Sequence, residues 1–509
     1  MLSPTRPWMP VPTGCVPSVP LTNRSRCVRF QSMVASGGIL EAAVSELASM
    51  RRRCLVGRHH QQFNHMATKL SAARGDDDDN AGDAAQDGAL SVRRCVLTTL
   101  LIFAIAHVLL MVGLASPPKF VFDEVHYVPA ARQMIGLAPA SPQLNPMHPP
   151  LAKELIALSI RTFGDNSFAW RYPGTVLGGL AVAAIYLCGL ALFAAQGAAI
   201  AAALLAFFNQ MLFVQARTAM LDIGALAFSL LGIAVFLFAY RQRRPQLLFA
   251  LAGALFGLAI ACKWSGLFPL LTALMIVGVI KLLQHWQTSF GDAERTDWYQ
   301  PEQWPGLSWL HIGLCLGLIP MLAYLVTFIP LHGLSVTAIF EAQRRIFADS
   351  ITTAIAGHTY MSAWPTWPLL VRPVWFLFDK TSDNDIAAIV LLGNPLVLWP
   401  ALIALVLCVR DFVATRSASA FLILAFYLGC YLPWAMLPRT LSFLYYYLPS
   451  ATLLSLALVH ALLRWPARIL WACVAVAALG FLAMLPISSA FIGTTMSTFT
   501  RLMLFQSWI

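Results

Sequence analysis

Charge is scarce in this chain. Asp, Glu, Lys and Arg supply 11% of its 509 residues, against about 25% in a soluble domain. Disorder over the whole length needs high charge and low hydropathy, so it is excluded. Paired cysteines are missing too. The ten cysteines form no CxxC and no metal-like spacing, which excludes a disulfide-stapled module or a cysteine metal framework. Cys188, Cys262, Cys315, Cys408, Cys430 and Cys473 lie in apolar runs and read as small buried hydrophobes. No internal repeat is visible. No long apolar segment precedes a cleavage site near the start, so no ordinary secretory signal peptide is expected. The two halves lack a matched pair of broken helices, which weakens a transporter reading.

Apolar residues are what the chain has. They make up 59% of it, and the mean hydropathy is +0.70. A bilayer-spanning helix needs ~20 mostly apolar residues, so an all-α polytopic membrane protein is expected. Apolar runs lie at 95–116, 173–195, 197–216, 220–240, 246–262, 264–283, 308–330, 386–409, 418–436, 441–462 and 469–487. They read as about 11 transmembrane helices.

The net charge is +11, from 34 basic and 23 acidic residues. Here basic loops set orientation, and no nucleic-acid partner is expected. Arg93-Arg94, Arg241 with Arg243 and Arg244, Arg410 with Arg416, and Arg464 with Arg468 all fall on one side. That side is cytoplasmic if the N-terminus is, and an odd count then places the C-terminus outside. Residues 1–92 read as a disordered cytoplasmic extension, and 93–509 as one membrane domain. A second possibility is that the natural start is Met66 and that residues 1–65 do not belong to the protein. Segments 117–172 and 331–385 are long external loops, and 284–307 is a cytoplasmic one.

The remaining ionisable residues gather on the external side. The first loop carries Asp123, Glu124, His126, His148, Lys153, Glu154 and Arg171. Arg217 and Asp222 lie between spans three and four, Lys263 between five and six, and Arg439 between nine and ten. Bases here run against the positive-inside trend, and charges near a membrane mark function by default. Carboxylates supply acid–base chemistry, and Arg and Lys bind an anion, phosphate being the natural candidate. Each residue also has a plainer reading. Asp123-Glu124 also reads as a helix end at the interface. His148-Pro149-Pro150 also reads as a rigid turn, and Lys263 as a snorkelling side chain. Tyr445-Tyr446-Tyr447 also reads as an interfacial belt. Convergence on one face favours a site.

The motifs resemble a known family. They are Phe122-Asp123-Glu124-Val125-His126-Tyr127, then Asn145-Pro146-Met147-His148-Pro149-Pro150-Leu151-Ala152-Lys153, then Trp170-Arg171. Arg217 to Leu221-Asp222, Lys263-Trp264-Ser265-Gly266, Trp367-Pro368 with Arg372-Pro373, and Gly393-Asn394-Pro395 follow. Tyr431-Leu432-Pro433-Trp434 through Arg439 to Tyr447-Leu448-Pro449 closes the series. In this order they resemble the bacterial members of the protein O-mannosyltransferases, glycosyltransferase family 39, over roughly 95–509. Two departures stand out. Tyr446 occupies the place of a His common in the family, which puts that His's role in doubt here. The 331–385 loop is also too short for the soluble insertion of eukaryotic members.

The resemblance implies a GT-C fold with amphipathic external-loop helices framing the site. It implies a mannose donor linked to a polyprenyl (dolichyl-like) phosphate. The implied acceptors are Ser and Thr hydroxyls of secreted proteins near the Sec translocon, at the outer face of the cytoplasmic membrane. It implies Asp123 as catalytic base for an inverting displacement, with Glu124 orienting the acceptor or the loop. Arg171, Lys263 and Arg439 are the candidates for the donor phosphate, ahead of Arg217 and Lys153. His126 and His148 support the loop, and Asp222 is a partner for Arg217, although a five-residue separation suits no helix face. No cofactor is expected, though Asp123, Glu124, His126 and His148 are of a type that could hold a divalent metal. The alternatives are an aminosugar transferase acting on lipid A, whose relatives tend to show Lys where this chain has His148, and a transporter.

Overall fold

The structure, a computed structural model, describes residues 92–139, 143–290, 295–352, 357–437 and 441–509. The chain divides between Arg94 and Cys95, and the fold below is that of the second unit. The expectations for residues 1–91, including the Met66 start, lie outside the described residues.

The helical membrane class holds. Eight helices among the described residues are long and apolar enough to cross a bilayer. They include α1 (Val92–Met111), with α4 (Ser167–Phe193), α7 (Asp222–Tyr240) and α9 (Leu267–Phe290) further on. After α10 (Trp309–Val326) come α12 (Pro395–Thr415), α13 (Ala418–Tyr431) and α15 (Ala467–Ser488). Three of the 11 expected spans are different objects. The 197–216 run is two helices, α5 (Gln196–Phe207) and α6 (Gln210–Ala216), bent by 67°. The 246–262 run is α8 (Gln246–Cys262), only 17 residues long. The 441–462 run narrows to α14 (Leu448–Leu462), 15 residues long. Apolarity signals burial, and a helix walled in by protein need not match the bilayer thickness.

Inner and outer helices separate by exposure. The apolar window of α1 is 11% buried, and those of α4 and α7 are 78% buried. Leu97, Leu100, Leu101, Ile105, Val108 and Leu109 leave one side of α1 bare, as suits lipid contact.

The bend between α5 and α6 has an identifiable clasp. Asn209 caps α6, its Oδ1 accepting from the Met211 amide at 3.2 Å. Asn394 then inserts, donating from Nδ2 to the carbonyls of Phe208 (2.8 Å) and Ala477 (2.9 Å). The Gly393-Asn394-Pro395 motif is therefore a splice. Asn394 caps α12 with its side chain while satisfying the carbonyl left open at the bend.

Close helix contact depends on two glycines of α8. A Cβ on Gly253 would stand 2.0 Å from the Cys315 carbonyl oxygen, and one on Gly257 2.3 Å from that of Pro320. Their four-residue spacing is the small-residue stripe that lets membrane helices approach. Gly253→Val is expected to destabilise by ~1–3 kcal/mol through overpacking. A lowered thermal midpoint in detergent checks it, and an unchanged midpoint contradicts it.

One element was not foreseen. β1 (Val374–Lys380) and β2 (Asp385–Leu391) form an antiparallel hairpin, extended by β3 (Thr494–Thr495). The eighth span accordingly begins at Pro395, not at residue 386. Ile386, Ile389 and Val390 favour a strand, and a short buried strand reads like the start of an apolar helix. The ladder slips at Phe376, between the pairs Trp375–Val390 and Leu377–Ile389. The segment between α1 and α4 holds α2 (Glu124–Met134) and α3 (Leu151–Phe163), and the later loop holds α11 (Val336–Thr352).

Candidate active site

The chain reaches the acidic pair through an unusual backbone. Phe122 has φ 46°, a left-handed conformation that is uncommon for a bulky residue and costs on the order of 1–3 kcal/mol. It turns Asp123 and Glu124 to different surroundings at the start of α2. Asp123 sits at the helix N-cap, but its side chain makes no capping bond. It accepts from the Tyr127 hydroxyl at 3.3 Å.

Glu124 is wholly buried and fully satisfied. Its Oε1 accepts from Arg171 Nε at 2.8 Å and from the Ala219 amide at 2.9 Å. Its Oε2 accepts from Arg171 at 3.0 Å and from the Val121 amide at 2.9 Å. Arg171, 1% exposed, donates further to the carbonyls of Leu114, Pro117 and Lys119. A guanidinium has five N–H donors, and this one has five acceptors. It lies inside α4, one turn into the helix, and ties together the chain after α1 and the acidic loop, while Glu124 carries the tie to the turn before α7. A phosphate would find no vacant N–H on Arg171, contrary to its expected place as a phosphate ligand.

Lys263 has the surroundings that Arg171 lacks. It ends α8 in extended conformation and is followed by the tight turn Trp264–Gly266. Its Nζ donates to both oxygens of Asp222 at 2.8 Å. It also stands 5.2 Å from the ring centroids of Tyr445 and Tyr446. An ammonium carries three donors, so one remains. Asp222 thus pairs with Lys263 and not, as expected, with Arg217.

The Asp123 carboxyl is close enough to this pair to feel both charges. Burial raises its pKa above the usual carboxylate value. Lys263 and then His126 pull it back, and Asp222 pushes it up. Beside the pair opens a cleft lined by Ser229, Ser265, Phe268, Trp434 and Tyr446. Tyr446 stacks on Trp434 at 4.5 Å, so Tyr445 and Tyr446, both buried, form a wall of the cleft.

The other expected residues have local duties. Arg217 donates to the carbonyls of Leu110 and Val112 at 2.6 Å each, capping the end of α1 where helix carbonyls lack partners. Lys153 is buried and donates to the carbonyls of Asn145 (2.7 Å) and His148 (2.8 Å), fixing that loop. The His148 ring lies edge-on to Tyr127, with centroids 6.1 Å apart. His126 is exposed. Arg439 lies outside the described residues.

Asp123, Glu124, His126 and His148 do not form a metal-ligand set. Both Glu124 oxygens are already taken by Arg171 and backbone amides. Among the described residues no three His, Cys, Asp or Glu gather as metal ligands would. Sequence reasoning missed Tyr127 as the partner of Asp123, although its four-residue spacing on a helix was a usable signal. It also missed the Phe122 conformation, which no local signal announces.

Comparison with known proteins adds identity to this geometry. The family model for dolichyl-phosphate-mannose-protein mannosyltransferase matches residues 100–332. The model for the C-terminal four-span region of protein-O-mannosyltransferase matches residues 335–508. A polyprenol-phosphate-mannose–protein mannosyltransferase of Mycolicibacterium smegmatis is 27% identical, over 68% of this chain and 78% of its own. The structure of the Saccharomyces cerevisiae Pmt1–Pmt2 complex bound to the sugar donor aligns with TM-score 0.66 at 15% identity. That alignment covers 82% of this chain and 93% of that one. ArnT from Cupriavidus metallidurans, bound to undecaprenyl phosphate, aligns with TM-score 0.52 at 15% identity, over 76% of this chain and 70% of that one. Both structures speak to the fold alone, which is the GT-C fold. The two family models between them span nearly the whole membrane unit, and the chain belongs to the protein O-mannosyltransferase family of glycosyltransferases.

Proposed function

We propose that this chain transfers mannose from polyprenyl-phosphate-mannose to Ser or Thr hydroxyls of proteins crossing the membrane. The observation that carries the mechanism is Asp123. It is a half-buried carboxyl with a tyrosine partner, within electrostatic reach of a buried Lys–Asp pair whose Asp222 lines an aromatic cleft.

Asp123 takes the proton of the acceptor hydroxyl as its oxygen attacks the anomeric carbon of the donor. The bond from that carbon to the phosphate oxygen breaks, and polyprenyl phosphate leaves. One displacement inverts the anomeric centre, since no second carboxylate is needed as a nucleophile. Phosphate is already a good leaving group, so it needs a cation more than an acid. Lys263 supplies that cation through its third N–H, held in place by Asp222. Arg439 is its proposed companion. Arg171 and Glu124 serve as the frame that fixes Asp123, and Arg217 and Lys153 hold the flanking loops.

The reaction is placed at the outer face of the cytoplasmic membrane, with the N-terminus cytoplasmic and the C-terminus outside. The support is the placement of Arg in the short loops. Proximity to the Sec translocon belongs to the same reading. No metal is given a step.

The raised pKa of Asp123 predicts a pH limb. A base works only when deprotonated, so the rate falls as pH drops through that pKa, about tenfold per unit below it. The midpoint should lie above the ordinary carboxylate value. A pH–rate profile of the membrane-embedded enzyme checks this. A flat profile down to the ordinary carboxylate range contradicts it.

A further inference from the structure

Phe122 is the residue before the proposed base, and it does not hold its left-handed backbone alone. Its ring stacks on Phe376 of β1, with centroids 4.3 Å apart and planes 10° from parallel. The rings of Tyr445 and Phe443 meet it edge-on at 6.0 and 6.4 Å. Phe376 is buried and is the extra residue of the β1 bulge. Bulges of this kind re-aim a side chain beside an active site.

β1 is in turn pinned from two sides. Trp375 donates from its indole to the carbonyl of Trp508 at 3.0 Å. Trp508 is buried and donates to the carbonyl of Leu370 at 2.7 Å. Asp379 at the other end of the strand pairs with Lys119 at 2.5 Å. Lys119 belongs to the acidic loop, and its carbonyl accepts from Arg171. The strand therefore grips the loop at both Lys119 and Phe122.

We infer that Phe376, aimed by the β1 bulge, is a positioning residue that sets the Asp123 carboxylate through its stack on Phe122. The physical reason is the cost of the Phe122 backbone. A residue with φ 46° relaxes toward ordinary φ unless its side chain is held, and relaxation there swings the next residue. The inference rests on Asp123 being the base.

The test is steady-state mannosyl transfer by the full chain in membranes, using polyprenyl-phosphate-mannose and a Ser/Thr peptide. Phe376→Leu, Phe376→Tyr, Phe122→Gly and Asp123→Asn are compared per amount of folded protein. A misplacement of about 1 Å can cost on the order of 100-fold in rate. Phe376→Leu is expected to lose about 10- to 100-fold in kcat with donor KM within about twofold, and its acid limb should shift. Phe376→Tyr keeps the stack and restores kcat. Phe122→Gly accepts the left-handed backbone but lacks the ring. It should be slow as well, and it decides the matter if Phe376→Leu does not accumulate.

Wild-type kcat in either ring-deleting variant overturns the inference. So does a Phe376→Tyr as slow as Phe376→Leu, or a loss confined to KM. Near-wild-type turnover in Asp123→Asn overturns the base assignment itself. An inactive Asp123→Asn beside a normal Phe376→Leu overturns the positioning role alone.

Discussion

Arg171→Lys is expected to leave little folded protein, at a cost of roughly 3–5 kcal/mol. The change looks conservative and is not. Arg171 serves five acceptors, two on Glu124 and three on backbone carbonyls from Leu114 to Lys119. Lysine has three donors on a point charge and cannot form the fork. Glu124 would keep its buried charge with part of its compensation gone, and at least one carbonyl would lose its partner. Such unpaired groups are expensive because no water reaches them. Size-exclusion profiles and thermal midpoints in detergent measure the effect. A well-folded Arg171→Lys with only weakened donor binding would return Arg171 to the role of phosphate ligand.

Asp123→Asn should behave in the opposite way. The substitution is isosteric, and the amide oxygen still accepts from the Tyr127 hydroxyl. Asp123 carries no helix cap, so folding is expected to survive. Turnover is expected to fall ~10²–10⁴-fold, the usual contribution of a positioned base, or ~3–5 kcal/mol on the barrier. Adjacent acids would thus fail by different routes, Glu124 through its part in the frame and Asp123 through chemistry.

In the sequence that division came only from the family resemblance, with Asp123 as base and Glu124 orienting the acceptor or the loop. Asp123 and Glu124 stand side by side, and residue type offers no means of telling base from buttress. The difference arises from contacts across the fold. Arg171 lies 47 residues from Glu124, and Lys263 lies 41 from Asp222. What could be read was the gathering of charges, because ionised groups are too costly in an apolar chain to occur without cause. The same reading gave Arg171 and Lys263 one role, with Arg217 behind them in it. Their hydrogen bonds make them a frame, the partner of Asp222 and a helix cap.

The long helices were legible because each needs ~20 apolar residues. The bend at Asn209 and the short α8 and α14 were not, since burial inside the bundle yields the same apolar run. The 386–391 strand was hidden for a related reason. It is apolar without alternation, and Asn394-Pro395, which caps the following helix, lies after it.

The central claim is a lipid-phosphate mannose donor, a hydroxyl acceptor and Asp123 between them. The most direct test is label transfer in isolated membranes. Polyprenyl-phosphate-[¹⁴C]mannose and a Ser/Thr-rich peptide are supplied to wild type and to Asp123→Asn at matched expression. The account predicts label in the peptide with wild type and a loss of ~10²–10⁴-fold with the variant. Equal labelling by both would contradict the assignment of the base. No labelling by well-expressed wild type would contradict the donor and acceptor, and would point to a lipid acceptor or a different sugar.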